Sequence, residues 1–170
     1  MNDRFRKDMT AQIPSLRRYA RALTGTQDEA DDLVQDCLAR AWSRMHMWQP
    51  GSDLRKWLFA IMHNLYVNNV RRSARTPQAV PLDDVAASLP QRDQAADSLH
   101  LRDLESAFAK LSPDQKQVLL LVSLEGLSYS EVALMLDVPL GTVMSRLHRA
   151  RQKLRELLGF DSIVSLRAVK

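Results

Sequence analysis

"SYSEVALMLDVPLGTVMSRLHRARQKL", Ser128 to Leu154, reads as two helices with a sharp break between them. Ser128 and Glu131 stand three apart, the spacing at which a hydroxyl and a carboxylate satisfy free amides at a helix start. Asp137-Val138-Pro139 closes this short helix, because a proline ring cannot continue the hydrogen-bond ladder. A longer helix then runs from Pro139 to the region of Leu158, with Val143, Leu147, Ala150, Leu154 and Leu157 turned inward at helical spacing. A short helix, a tight turn and a longer helix are the sequence form of a helix-turn-helix. Its outward residues are Thr142, Ser145, Arg146, His148, Arg149, Gln152 and Lys153. Short side chains early in such a helix can approach base edges, and arginine can bind guanine through two parallel hydrogen bonds. Thr142, Ser145 and Arg149 meet that need. Arg151 and Arg155 add charge for phosphates, although basic residues near a helix end also suit the helix dipole.

Upstream, "SPDQKQVLLLVSLEG" offers Ser112 as a cap, Pro113 at the first helical position and Gly126 as the stop. Further upstream the text changes character. "TPQAVPLDDVAASLPQRDQAADS", Thr76 to Ser98, holds Pro77, Pro81 and Pro90, many small residues and an excess of Asp, without sustained periodicity. It reads as a flexible linker. Neither flank shows the alternating β-branched runs of strands. The expected fold is therefore all-α: a helical domain over 1–75, an acidic, proline-containing linker over 76–98, and a four-helix, winged-helix-like helix-turn-helix domain over 99–160. A short tail, 161–170, completes the chain.

In the first domain Thr26 and Glu29 repeat the capping spacing and open a helix. Its residues Ala30, Leu33, Val34, Cys37, Leu38, Ala41, Trp42 and Met45 form one apolar stripe. Cys37 lies within the stripe as a small hydrophobe. The opposite face carries Asp28, Asp31, Asp32, Gln35 and Asp36, either as a solvated surface helped by the helix dipole or as a docking surface for a basic partner. After Pro50-Gly51, Ser52 or Asp53 caps a second long helix, whose buried stripe is expected at Leu54, Trp57, Leu58, Ile61, Met62, Leu65 and Tyr66. Its other side presents Arg55, Lys56, Phe59, His63, Asn64, Asn68, Arg71 and Arg72. Cations, amides and an aromatic together suit phosphates and bases. A shorter amphipathic helix is expected over Ile13 to Leu23, with Arg17, Arg18 and Arg21 outward.

The 170 residues, 45% of them apolar and 26% charged, suit a folded chain with one sizeable core or two small ones. The formal charge of +4 is modest, so its distribution matters more than its sum. Apolar runs such as Val118 to Val122 are too short to span a bilayer, and "MNDRFRKDM" lacks the apolar core of a signal peptide. A cytoplasmic protein without membrane contact is expected, and one cysteine, unable to pair within the chain, fits a reducing compartment. The residues suggest no enzyme: His46, His63, His100 and His148 are dispersed, and no Gly-rich phosphate loop or partnered nucleophile stands out. No cofactor and no metal are expected. "RMHMWQPG", Arg44 to Gly51, leaves more than one reading open. His46 has no chelating neighbour to make it a metal ligand. Met45 and Trp48 could finish the core, or Trp48 could stack on an unpaired base.

The text "SYSEVALMLDVPLGTVMSRLHRARQKL" resembles the C-terminal DNA-binding region of the extracytoplasmic-function sigma factors, small members of the sigma-70 family. "DEADDLVQDCLARAW" is similar to their core-binding helix, and segment order matches over nearly the whole chain. The resemblance implies a sigma factor that binds RNA polymerase core and directs promoter recognition and transcription initiation. Asp31, Asp32, Gln35 and Asp36 would dock on the polymerase clamp. Arg55, Lys56, His63, Asn64, Asn68, Arg71 and Arg72 would read and hold the −10 element, with Trp48 in a loop that captures a flipped base. Thr142, Ser145, Arg146, His148, Arg149, Arg151, Gln152 and Lys153 would read −35 duplex. The partners implied are the clamp and flap regions of polymerase core, promoter DNA and an anti-sigma factor, and the linker would thread toward the active cleft. Met144 stands where the family usually has Lys or Arg, so no −35 preference is carried over. "IPSLRRYARALTG" resembles the general-stress type. Two other readings stay open: a sigma-like decoy that binds an anti-sigma factor without engaging promoters, and a helix-turn-helix repressor. The retained charges of Arg71, Arg72, Arg146, Arg149 and Arg151 disfavour the first, and the polymerase-docking text disfavours the second.

Overall fold

A computed structural model describes residues 2–75 and 95–159, with side chains for 3–73 and 102–159. Among the described residues the chain forms seven α-helices and no strand: α1 Asn2–Thr24, α2 Gln27–Ser43, α3 Leu54–Arg75, α4 Ala95–Ala109, α5 Pro113–Ser123, α6 Tyr129–Leu136 and α7 Leu140–Leu158. A 3-10 turn, Met45–Met47, lies between α2 and α3. The reading of Thr76 to Ser98 as a linker falls mostly outside the described residues, as does the tail. Helix α4 nonetheless begins at Ala95, four residues inside the stretch read as linker, where Ala-Ala starts a run of good helix formers.

The capping signals act as their spacing requires. Thr26 Oγ1 accepts from the Glu29 amide, and both Ser112 with Gln115 and Ser128 with Glu131 form reciprocal capping boxes. Asp53, not Ser52, caps α3: its Oδ1 accepts from the Lys56 amide at 3.2 Å. Asp137 takes a left-handed conformation, φ 52°, at the end of α6, a place that aspartate tolerates because its short side chain can satisfy local amides.

Helix α1 is longer than the segment read from Ile13 to Leu23. It starts at Asn2 and passes through Pro14, a residue that usually costs about 3 kcal/mol inside a helix. Phe5 and Met9, on its extra turns, are buried and supply the offsetting contacts. Phe5 lies within 6.4 Å of three tryptophan rings, Trp42, Trp48 and Trp57.

Helices α1, α2 and α3 bury Leu16, Tyr19, Leu23, Leu33, Val34, Cys37, Leu58 and Met62 between them. The Cys37 thiol donates to the Leu58 carbonyl at 3.4 Å, and burial pushes its pKa up to about 12, so it is an inert packing group. Helices α5, α6 and α7 bury Val118, Leu121, Val132, Val143, Leu147 and Ala150. The two blocks are in direct contact. Helix α5 packs on α1 and α3, and α6 packs on α3, so the buried side chains form one cluster.

The packing corrects three sequence expectations. Phe59, placed on the outward face of α3, is 0% exposed and meets Tyr19 edge to face at 5.1 Å. A helix covered on two sides has a wider apolar surface than a single stripe. Trp42 and Leu157, by contrast, were read as inward and are 43% and 38% exposed, each near a helix C-terminus where neighbouring helices give less cover.

Candidate nucleic-acid and polymerase interface

Helix α7 presents its candidate residues in two groups. Ser145, His148, Arg149 and Gln152 are exposed, and Thr142 is half-buried at the helix start. These line the open side of the second helix of the pair. Arg146 and Lys153 are turned back toward the fold instead. Arg146 Nη2 meets Asp114 Oδ2 at 2.6 Å, tying α7 to the first turn of α5. Lys153 Nζ donates to the Lys110 carbonyl at 2.6 Å, just past the end of α4. Arg151 is half-buried. The apolar Leu140 and Met144 stand 48% and 51% exposed beside the polar group.

Helix α3 divides along its length. Its C-terminal half leaves Asn64, Asn68, Arg71 and Arg72 exposed. Its N-terminal half is covered by the second block. Arg55 bonds the Glu125 carboxylate and also donates to the Glu125 backbone carbonyl at 3.0 Å. Arg18, from α1, reaches the other carboxylate oxygen at 3.2 Å. The Glu125 side chain is wholly enclosed between them. Arg55 also lies 5.6 Å above the Phe59 ring, where the ring face attracts a cation.

Two further contacts extend this junction. Lys56 Nζ meets Glu131 Oε1 at 2.6 Å, while Glu131 Oε2 accepts from the Ser128 amide at 2.8 Å. One carboxylate thus caps α6 and binds α3. Those hydrogen bonds, that of Lys56 first, hold the Glu131 pKa down to about 2. The Glu131 and Asp53 hydrogen bonds in turn raise that of Lys56. His63 Nδ1 contacts Oε1 of the buried Gln117, and burial lowers the imidazole pKa.

On α2, Asp32, Gln35 and Asp36 are exposed and Asp31 is half-buried. Asp31 is already engaged, by Arg17 at 3.6 Å and by the Gln27 amide at 2.8 Å. Asp36 borders an open groove of about 380 Å³ with Ala39, Arg40, Ser43 and Leu65.

In the loop that precedes α3, Trp48 does not stand free. Its ring packs 5.5 Å from Phe5 and its indole nitrogen is buried without a partner among the described residues. Met45 and Trp48 are half-buried, and the other residues from Arg44 to Gly51 are exposed, Met47 at 61%.

Glu125, Gln117 and Arg18 were missed as site residues. Buried polar residues inside an otherwise apolar cluster would be the signal, yet in the sequence Glu125 is one acid before a glycine. Only the packing shows that it is enclosed.

The fold is thus a pair of helical blocks, one carrying an acidic helix and a basic helix, the other a helix-turn-helix. Family models match both: the Sigma2 domain of PhyR over residues 9–63 and Sigma-70, region 4, over residues 101–154. The chain is 38% identical over 161 residues to the ECF RNA polymerase sigma factor EcfG of Rhodopseudomonas palustris, covering 95% of this chain and 88% of that protein. It is 39% identical to the sigma factor SigE of Mycolicibacterium smegmatis over 85% of this chain and 58% of that one. Among solved structures it is similar to the sigma factor RpoE of Bartonella quintana in complex with the anti-sigma factor NepR, with a TM-score of 0.79 and 33% identity over 95% of this chain and all of that one. The chain belongs to the extracytoplasmic-function RNA polymerase sigma factors. Among the described residues no helix is long and apolar enough to cross a membrane.

Proposed function

We propose that the chain works in the cytoplasm, without catalytic chemistry of its own, by joining RNA polymerase core and directing it to promoters. The observation that carries this reading is the open polar side of α7, where Ser145, His148, Arg149 and Gln152 share exposure on the second helix of a helix-turn-helix. These residues, with Thr142, read −35 duplex. Arg146, Arg151 and Lys153 set the pose of α7 and add positive potential near the phosphates. Asn64, Asn68, Arg71 and Arg72, with Arg55, Lys56 and His63, hold the −10 strand, and the Arg44–Gly51 loop receives a base there with Trp48 behind it. Asp31, Asp32, Gln35 and Asp36 dock on the polymerase clamp. The solved complex of RpoE with NepR supports an anti-sigma partner for this chain.

The test is run-off transcription with core polymerase on a promoter library, beside the double variant Asp32→Lys/Asp36→Lys. Both residues are exposed, so the variant should fold normally and lose holoenzyme assembly. Transcription from no member of the library would favour the decoy reading. Normal assembly by the double variant would remove the docking role from α2.

A further inference from the structure

Among the described residues Glu125 stands out: an acid with no exposed side-chain surface, held by two arginines from the opposite block. An ion pair withdrawn from water is costly unless it is well matched and fully bonded. Here it is bonded on every side, since Arg18 and Arg55 take its carboxylate oxygens and Arg55 takes its backbone carbonyl as well. The turn that delivers it depends on Gly126, whose φ of 69° lies in the left-handed region that residues with a side chain rarely adopt. Six residues further on, Glu131, 35% exposed, meets Lys56 at 2.6 Å. Two carboxylates of the second block therefore occupy three cations of the first. The pattern is that of anions on a phosphate-binding face.

We infer that the chain locks itself: Glu125 and Glu131 stand in for nucleic-acid phosphates on the basic face made by Arg18, Arg55 and Lys56, and hold the N-terminal half of α3 closed to DNA. The inference rests on the reading of α3 as the −10 helix. Contacts by the cations of α3 and contacts by those carboxylates are mutually exclusive, because one guanidinium cannot serve both at once. Tethered blocks meet at high effective concentration, so even modest ion pairs keep such a junction populated. A binding partner that inserts between the blocks, or separates them, frees the face.

The test uses the full chain carrying Arg44→Cys and Asp103→Cys, both exposed, for a pair of fluorescent labels. Cys37, buried and with its thiol pKa raised, stays unlabelled. Glu125→Gln/Glu131→Gln should lower energy transfer and raise affinity for a thymidine-only single-stranded oligonucleotide by about tenfold or more, as expected when a paired, enclosed charge is removed. Arg18→Gln leaves α3 intact and should open the chain in the same direction by a smaller factor. Circular dichroism melting establishes that each variant is folded. Adding Arg55→Gln/Lys56→Gln to the open variant should abolish the gain, which places it on the N-terminal half of α3. Raising salt should lower energy transfer in the parent only slightly, through the solvent-facing Lys56–Glu131 pair, and leave the double Gln variant unchanged. Unchanged transfer in folded variants would overturn the lock. Lowered transfer without any gain in oligonucleotide affinity would overturn its covering role. Either failure beside normal run-off transcription by the parent leaves the sigma reading standing, whereas absent run-off transcription removes that reading itself.

Discussion

Helices α3 and α7 carry nearly the same chemistry and face opposite circumstances. Each has an apolar stripe on its own block and an outer side of arginine, histidine and amide groups. The outer side of α7 is open along Ser145, His148, Arg149 and Gln152, whereas the first half of α3 lies under α5 and α6. Composition decides what a helix can bind. Neighbours decide whether it is available. Phe59 marks the difference, since it is the aromatic member of a nucleic-acid-like set that instead packs on Tyr19.

The strongest way to break this comparison is Phe59→Ala. A fully buried phenylalanine is worth about 3–5 kcal/mol, so the variant should melt far below the parent. Met144→Ala, at a half-exposed position on α7, should change melting little. Equal effects of the two would mean that the Phe59 ring is no better packed in solution than Met144.

Trp48→Ala should cost less than Phe59→Ala, about 1–3 kcal/mol, because the indole is only partly buried against Phe5. Chemical denaturation checks the value. A loss below a few tenths of a kcal/mol would show that the ring is not packed and stands ready for a base.

Within α7, Arg149→Ala should relax base preference on −35 duplex by about 1–3 kcal/mol, a size typical of a lost bidentate base contact. Arg146→Ala releases the Asp114 pair and should instead weaken all duplexes alike, by about 1 kcal/mol or less. Competition binding on a set of single-base variants separates the two. Matching base profiles would erase the division of α7 into open and inward groups.

The smallest effect concerns pH. Burial lowers the His63 pKa; the Gln117 hydrogen bond and Asp114 oppose this shift, and Arg146 and Arg71 add to it. The open chain therefore binds a proton more readily than the closed one. Closure is fully supported above the ordinary imidazole pKa of about 6.5 and weakens as pH falls through it. Glu131, held near 2, keeps its charge over that range. Energy transfer between the labelled blocks should fall slightly from about pH 7.5 to about pH 5.5, and His63→Gln should remove the trend.

Much of the helical order was legible because its causes are local. Thr26, Ser112 and Ser128 cap helices through bonds that reach three residues, and Asp137-Val138-Pro139 interrupts a helix through its own backbone. The early turns of α1 were not legible from Ile13 onward, since Phe5 and Met9 are justified by tryptophans of α2, of α3 and of the loop between them. The exposed residues of α7 were legible from a period of one helix. Arg146 and Lys153 share that outward period, yet the acid and the carbonyl that hold them belong to α5 and to the α4–α5 turn.

By itself, then, the sequence determined most of the helices, the caps at Thr26, Ser112 and Ser128, the helix-turn-helix and the resemblance to a family, all of which depend on spacing within a few turns of chain. The tertiary structure alone decided that Glu125 is enclosed, that Phe59 is core, and that Arg55, Lys56 and His63 face protein. Those facts depend on contacts between residues 40 to 107 positions apart along the chain, from Tyr19 with Phe59 to Arg18 with Glu125. No local periodicity encodes which of two basic faces the other block will cover; shape and charge matching across the junction select it.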